Sequence, residues 1–272
     1  MSVLSLENVC KSYRRGGIFG GGETLAVLDG VDLELHKGQC LGLVGRSGCG
    51  KSTMGRLVLG LERPDSGVVR YKGRDIRMLR GADWRDFRRN VQVVFQNFTA
   101  AVNPRMTAED IIAEPLRNFE RPGATRLRAK VGELLEQVGL SPADAGKLPA
   151  QFSGGQLQRV CIARAMALSP EVLVLDESVS SLDMLAQAQV LDLVAGLGRE
   201  RGASCLFISH DLRVVARACS EAAVMRGGRI VERARIDRGR FEFRGDGFME
   251  LANALLAARP KLVSSFPSGS RS

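Results

Sequence analysis

Long apolar runs are missing from this chain. No stretch of eighteen apolar residues occurs among its 272, so no helix is expected to cross a bilayer. The opening residues, MSVLSLENVCKSYRR, lack the charged-then-apolar pattern of a secretion signal, which points to a chain that stays in the cytosol. Histidine occurs only at positions 36 and 210, and the six cysteines, at 10, 40, 49, 161, 205 and 219, form no Cys-x-x-Cys pair. That excludes the usual signs of a zinc ribbon or a disulfide framework. With two distant histidines and no clustered thiols, no site for a soft metal ion is expected. Aromatic residues make up 5%, too few for a base-stacking platform. Lysine is scarce as well, since Arg supplies 32 of the 39 basic residues that leave a net charge of +9. No internal repeat is present. A hydrophobic content of 44% against 25% charged excludes disorder as the main state, and the length suits one large domain or two small ones.

The patterns that are present alternate between strand and helix. Residues 3–9 (VLSLENV) and 31–35 (VDLEL) read as half-buried strands, with a glycine-rich loop at 16–22 between them. Residues 40–44 (CLGLV) read as a strand buried on both faces, followed by a helix, STMGRLVLGL, stopped near Arg63-Pro64. Strands are expected at 67–71 and 91–95, then a mostly helical stretch over 105–146 with loops at Pro115 and Pro122-Gly123. Strand signals return at 172–175, 204–208 and 221–225, separated by helical patterns at 156–168 and 184–200. This order predicts an α/β core with a mostly parallel sheet and an all-helical insert. The last dozen residues, KLVSSFPSGSRS, read as frayed.

Three segments carry chemistry. Gly45-Arg46-Ser47-Gly48-Cys49-Gly50-Lys51-Ser52 fits G-x-x-x-x-G-K-[ST], with Thr53 following on the same helix. It leaves a buried strand and enters a helix, as phosphate binding needs. The glycines let backbone N–H groups turn inward, and the helix N-terminus adds positive potential. Lys51 suits the β- and γ-phosphates and the Ser52 hydroxyl suits Mg²⁺. Residues 172–177, VLVLDE, deliver Asp176 to the carboxyl edge of the sheet beside that Mg²⁺. Glu177, one residue on, points elsewhere and suits a general base that polarises water. His210 ends a third apolar strand on the same edge, within reach of a γ-phosphate.

Ser153-Gly154-Gly155-Gln156 opens a further helix, where bare N–H groups face an anion; a simple Ser153 cap is the plainer alternative. Together with the phosphate loop, this segment resembles the signature sequence of ABC-type ATPases. Tyr13 matches the aromatic that stacks on adenine, Gln96 the Q-loop glutamine, Ser181-Leu182-Asp183 the D-loop and His210 the switch histidine. The resemblance covers about residues 3–232 and implies the P-loop NTPase fold of ABC ATPases with an N-terminal antiparallel β part. It implies ATP and Mg²⁺ as cofactors, with Ser52, Gln96 and Asp176 around the metal. Two such chains sandwich two ATPs head to tail, so one chain holds half of each site. A second ATPase subunit, favoured as a paralogue, is therefore expected.

Within the family, Asn103-Pro104-Arg105 after the Q-loop is similar to the dipeptide, oligopeptide and nickel importer branch. The stretches 45–50, 101–105, 156–161 and 205–212 look most like the second ATPase subunit of nickel importers. Where peptide importers carry Pro-Thr after the glutamate, Ser178-Val179 stands here, and the His-Pro-Tyr-Thr segment of their C-terminal region is absent around Gly247–Leu251. The resemblance thus implies a nickel-import ATPase on the cytoplasmic face of the inner membrane. Its partners are then two permease subunits and an extracytoplasmic binding protein, with nickel carried by those and not by this chain. A dipeptide or oligopeptide importer and, from another class, a nucleic-acid-associated ATPase remain alternatives. The basic stretch Arg70, Lys72, Arg74, Arg77, Arg80, Arg85, Arg88 and Arg89 is read as a solvated face toward lipid headgroups or permease loops, with no nucleic-acid partner. The expected organisation is an ATPase domain over 1–240, with a permease-facing insert at about 97–165, and a short, partly disordered extension over 241–272.

Overall fold

The computed structural model describes residues 2–14, 23–177 and 184–242. The glycine-rich loop, the D-loop segment 181–183, Ser178-Val179 and the expected C-terminal extension beyond 242 lie outside them. Two sheets form the frame. The first holds β1 (Ser2–Arg14), β2 (Thr24–His36), β4 (Ser66–Tyr71) and β5 (Arg74–Asp75) in the order β2-β1-β4-β5, all antiparallel. The strands β1 and β2 are longer than the alternating pattern predicts, because their pairing shifts register between Leu6 and Val9 and again near Lys11. Each bulge breaks the period-two pattern without ending the strand.

The second sheet has seven strands: β3 (Cys40–Gly45), β6 (Val91–Val94), β7 (Val172–Asp176), β8 (Ser204–Ser209), β9 (Glu221–Arg226), β10 (Arg229–Asp237) and β11 (Arg240–Glu242). Their order is β11-β10-β9-β3-β8-β7-β6, parallel from β9 to β6 and antiparallel in the β9-β10-β11 meander. The fold is thus the expected P-loop α/β class with a mostly parallel sheet. The core lies on both faces of this sheet. Leu41, Leu43, Val172, Val174, Leu206 and Ile208 face the first sheet and α1 (Lys51–Val58), while Val44, Leu173, Leu175, Cys205 and Phe207 face the helices on the other side. Alternate side chains of one strand enter opposite cores, which is why these strands read as unbroken apolar runs.

Helix α1 stops at Val58, five residues before the Arg63-Pro64 signal. Gly60 (φ 64°) takes the left-handed position; its N–H donates to Leu57 O at 3.0 Å and the Leu61 N–H to Arg56 O at 2.9 Å. This is a Schellman closure, which glycine allows at no steric cost. Helix α2 (Gly81–Asn90) was not expected; its arginines mask an amphipathic turn that buries Phe87 against Trp84 and Tyr71, with ring centroids at 5.3 and 5.4 Å. Helix α3 (Ala108–Phe119) runs through Pro115, where a loop was expected. The Thr107 cap and burial of Ile111, Ile112 and Leu116 hold it across the missing N–H. With α4 (Ala124–Gln137) and α5 (Gly154–Met166) it shares one hydrophobic core. The helices α6 (Met184–Arg201) and α7 (Leu212–Ala218) flank the sheet.

The basic stretch is not an open positive face. Arg70 pairs with Glu7 at 2.9 Å, Lys72 with Glu171 at 2.7 Å, Arg74 with Asp83 at 2.7 Å, Arg77 with Asp75 at 2.9 Å and Arg89 with Glu120 at 3.0 Å. Pairs this open to solvent add little to stability, so their main effect is to cancel charge. Arg80, Arg85 and Arg88 donate to backbone carbonyls, and the latter two lie over the rings of Phe119 and Trp84.

Candidate functional site

The phosphate loop sits where β3 ends and α1 begins, at the carboxyl edge of the parallel sheet. Gly50 caps α1 in a left-handed conformation (φ 109°), and a Cβ there would lie 2.7 Å from Val27 O and 2.9 Å from Met225 Cε. Gly48 is also left-handed (φ 81°). The Cys49 N–H donates to Arg46 O at 3.3 Å, closing the loop on itself. Lys51, only 5% exposed, donates from Nζ to Gly45 O at 2.8 Å and Arg46 O at 3.1 Å. The ammonium is thus folded into the loop against its carbonyls, at the start of a helix, where a glycine-rich loop receives phosphate oxygens.

Ser52 Oγ donates to Asp176 Oδ1 at 3.4 Å, bringing together the two residues that the sequence assigns to Mg²⁺. Burial first, then the adjacent Glu177 carboxylate, pushes the Asp176 carboxyl above the ordinary carboxylate range. A cation in reach of both would reverse that shift, and the oxygen-only donors suit a hard divalent ion.

Glu177 turns away from Asp176 because its backbone is left-handed (φ 47°), anchored by its N–H to Ile208 O at 2.9 Å. Its carboxylate accepts from Gln96 Nε2 at 2.7 Å and lies 3.4 Å from His210 Nδ1. Three strand ends, β6, β7 and β8, therefore converge their side chains on one carboxylate. Gln96 hydrogen-bonds Glu177 here, not Ser52 or Asp176.

Tyr13 is half-buried. Its hydroxyl donates to Glu62 and accepts from Arg56 Nη2 at 3.4 Å, and Lys11 Nζ lies 5.5 Å from its ring centroid. Arg56 Nη2 also donates to Thr53 Oγ1 at 3.3 Å, so a polar chain connects α1 to Tyr13. Neither Glu62 nor Arg56 was expected in the site; only their return onto β1 reveals it. Ser153 and Gln156 form a reciprocal capping box at the start of α5, with Gln156 N to Ser153 Oγ at 3.2 Å and Ser153 N to Gln156 Oε1 at 2.9 Å. Among the described residues no hydrogen bond or ion pair joins residues 153–156 to the phosphate loop. The segment is exposed at Ser153 and Gly154, open to another molecule.

Beside Gln96 lies a groove of about 350 Å³ between the sheet and α3, lined by Leu61, Phe95, Glu114, Pro115, Phe119 and Arg164. Elsewhere the fold corrects the expectation of scattered thiols: Cys40 and Cys219 place their Sγ atoms 3.3 Å apart, and Cys205 faces Cys40 across the β3-β8 pair. Among the described residues no group of three or more His, Cys, Asp or Glu side chains is arranged to hold a metal ion, and no helix is long and apolar enough to cross a membrane.

A phosphate loop facing a strand-end carboxylate, with a second carboxylate, a glutamine and a histidine beyond, defines a P-loop ATPase of cassette type. The chain belongs to the ABC transporter family: the family model of that description matches residues 28–180, and the chain is an ATP-binding and ATP-hydrolysing member. It is 46% identical over 262 residues to the nickel import ATP-binding protein NikE of Rhodospirillum rubrum, covering 96% of this chain and 94% of that one. It is 43% identical over 260 residues to NikE of Escherichia coli K12, covering 96% and 97%. Among solved structures it is similar to a dimeric ATP-binding cassette in a post-hydrolysis state bound to ADP and Pi, with a TM-score of 0.78 and 28% identity over 86% of this chain and 99% of that chain.

Proposed function

We propose that this chain is the ATP-hydrolysing subunit of a nickel importer. The observation that carries this reading is near-full-length identity of 46% and 43% to two nickel import ATP-binding proteins. In this reading residues 1–240 are one ATPase domain, residues 97–165 its permease-facing insert and residues 241–272 a short extension. The chain sits at the cytoplasmic face of the inner membrane on two permease subunits, paired with a second ATPase subunit and served by an extracytoplasmic binding protein. The groove beside Gln96 receives the permease; its apolar floor of Leu61, Phe95 and Phe119 between Glu114 and Arg164 suits a short amphipathic helix.

The site residues take these roles. Tyr13 carries adenine, with its hydroxyl fixed by Glu62. The amides of residues 45–53 and the Lys51 ammonium hold the phosphates. Ser52 and Asp176, with Gln96, would hold Mg²⁺, which would supply charge neutralisation for the phosphates. Glu177 polarises the attacking water, and His210 holds water and γ-phosphate in line. Residues 153–156 complete the partner's site, and the partner's equivalent segment completes this one.

Vesicles holding the whole complex test the cargo. ATP-dependent accumulation of radiolabelled nickel, with no uptake of labelled dipeptide, is the expected result. Dipeptide uptake without nickel uptake would overturn the substrate and leave the ATPase reading standing.

A further inference from the structure

We infer that Cys40 and Cys219 form an oxidisable dithiol, a modification site at which peroxide closes a reversible disulfide. The two Sγ atoms are already in hydrogen-bond contact at 3.3 Å. A disulfide needs them at about 2.05 Å with Cβ atoms roughly 3.5–4.5 Å apart, so the closing motion is about 1 Å. The backbones are clamped for it, because Ser220, next to Cys219, donates to Cys40 O from its N–H at 3.0 Å and from Oγ at 3.3 Å. Cys205 is a poorer partner. It stands in register with Cys40 on the neighbouring parallel strand, and its thiol also hydrogen-bonds Cys40, but in-register parallel side chains project side by side, with Cβ atoms near the strand spacing of about 4.8 Å and above the roughly 3.5–4.5 Å of a disulfide.

Exposure sets the order of events. Cys40 is the least covered of the three residues, although its thiol lies inside with those of Cys205 and Cys219. Peroxide that enters along this less covered side meets Cys40 first. The Cys40 sulfur attacks one peroxide oxygen, the O–O bond breaks, and sulfenic acid and one water form. The Cys219 sulfur then attacks the Cys40 sulfur, the S–O bond breaks, and a second water leaves. Two thiols and one peroxide thus give one disulfide and two waters.

The Cys205 hydrogen bond lowers the Cys40 thiol pKa, but the Cys219 hydrogen bond and burial outweigh it and hold the thiol well above its ordinary value. This slows the first step relative to an exposed cysteine without changing the product. The pair stands at the far ends of two elements that reach the ATP site. Cys40 opens β3, which ends at Gly45, and Cys219 closes α7, which begins two residues after His210. The disulfide would staple these elements together.

The test uses the full chain, millimolar hydrogen peroxide and peptide mapping without reductant. The expected product is the Cys40 peptide joined to the Cys219 peptide, two hydrogens lighter than their sum and released by dithiothreitol. It should vanish in Cys40→Ala and Cys219→Ala and persist in Cys205→Ala. Sulfinic or sulfonic acid at Cys40 with no joined peptide would overturn the inference, as would a Cys40–Cys205 link. So would an unmodified Cys40 under conditions that oxidise Cys10 and Cys49. The readout is independent of ATP turnover and of the transported substrate, and the unsubstituted chain alone decides it.

Discussion

Gln96 donates from Nε2 to Glu177 Oε2 at 2.7 Å, linking residues 81 positions apart in sequence. One end of this bond follows β6, beside the groove; the other is the carboxylate proposed to activate water. Gln96 follows Phe95, which lines the groove, so the proposed permease contact and the proposed base lie one residue and one hydrogen bond apart.

Replacing Glu177 with Gln keeps shape and removes the base. ATP turnover should fall by about 10²- to 10⁴-fold, the usual share of a general base. Binding of ATP should persist, and sedimentation should show a dimer held by ATP. The equivalent glutamate of the partner must be replaced as well. Unchanged turnover would remove Glu177 from that role.

Lys51→Ala removes a buried ammonium held by two loop carbonyls. A charge-assisted hydrogen bond contributes roughly 1.5–3 kcal/mol, so ATP affinity measured by calorimetry should fall about 10- to 100-fold. Affinity equal to the unsubstituted chain would refute the phosphate-loop assignment.

Gly42→Ala tests how closely α7 approaches β3. The added Cβ would lie 2.3 Å from Val215 Cγ1, an overpacking that costs about 1–3 kcal/mol. Urea unfolding should show that loss, and the double substitution Gly42→Ala with Val215→Ala should recover part of it. Lack of any loss would mean that the two elements separate at no cost.

Asp65 anchors β1 one residue before Tyr13. Its carboxylate accepts from the Ser12 N–H and hydroxyl at 2.7 Å each and from Lys11 Nζ at 3.0 Å. The Ser12 hydroxyl first, then Lys11, lower its pKa to about 2. A carboxyl depressed on folding contributes stability above its unfolded value, about 3.9, and loses it as pH falls through the folded value. Asp65→Asn should therefore lower the melting temperature at pH 6, and the gap should close between about pH 4 and pH 2. A gap independent of pH would assign the effect to packing.

Most of the candidate site was legible in the sequence because its residues lie at strand ends marked by apolar runs. VLVLDE and SCLFISH each announce a buried strand followed by a polar group, so Asp176, Glu177 and His210 could be placed on one edge before any contact was known. Short amphipathic segments dense in charge, such as α2 with Arg85, Arg88 and Arg89 beside Asp83 and Asp86, were not legible, because few apolar residues remain to mark the period. The strands β10 and β11 were missed for a related reason: an edge meander with one face in water carries little apolar signal. The thiol pair was invisible because Cys40 and Cys219 are 179 positions apart and share no motif.

The sequence alone determined the chemistry: glycine where backbone must turn inward, lysine and serine at a helix start, carboxylates after buried strands. Those choices are local, set by φ/ψ limits and by side-chain type. Tertiary structure decided which groups meet. Strand order set β6, β7 and β8 side by side, so Gln96 and His210 both reach Glu177, and the left-handed turn at Glu177 aimed its carboxylate at them and away from Asp176. It also cancelled most of the basic stretch, because the carboxylates that neutralise Arg70, Lys72 and Arg89 come from distant segments. Net charge is a sum over residues, but a surface field depends on which charges are neighbours.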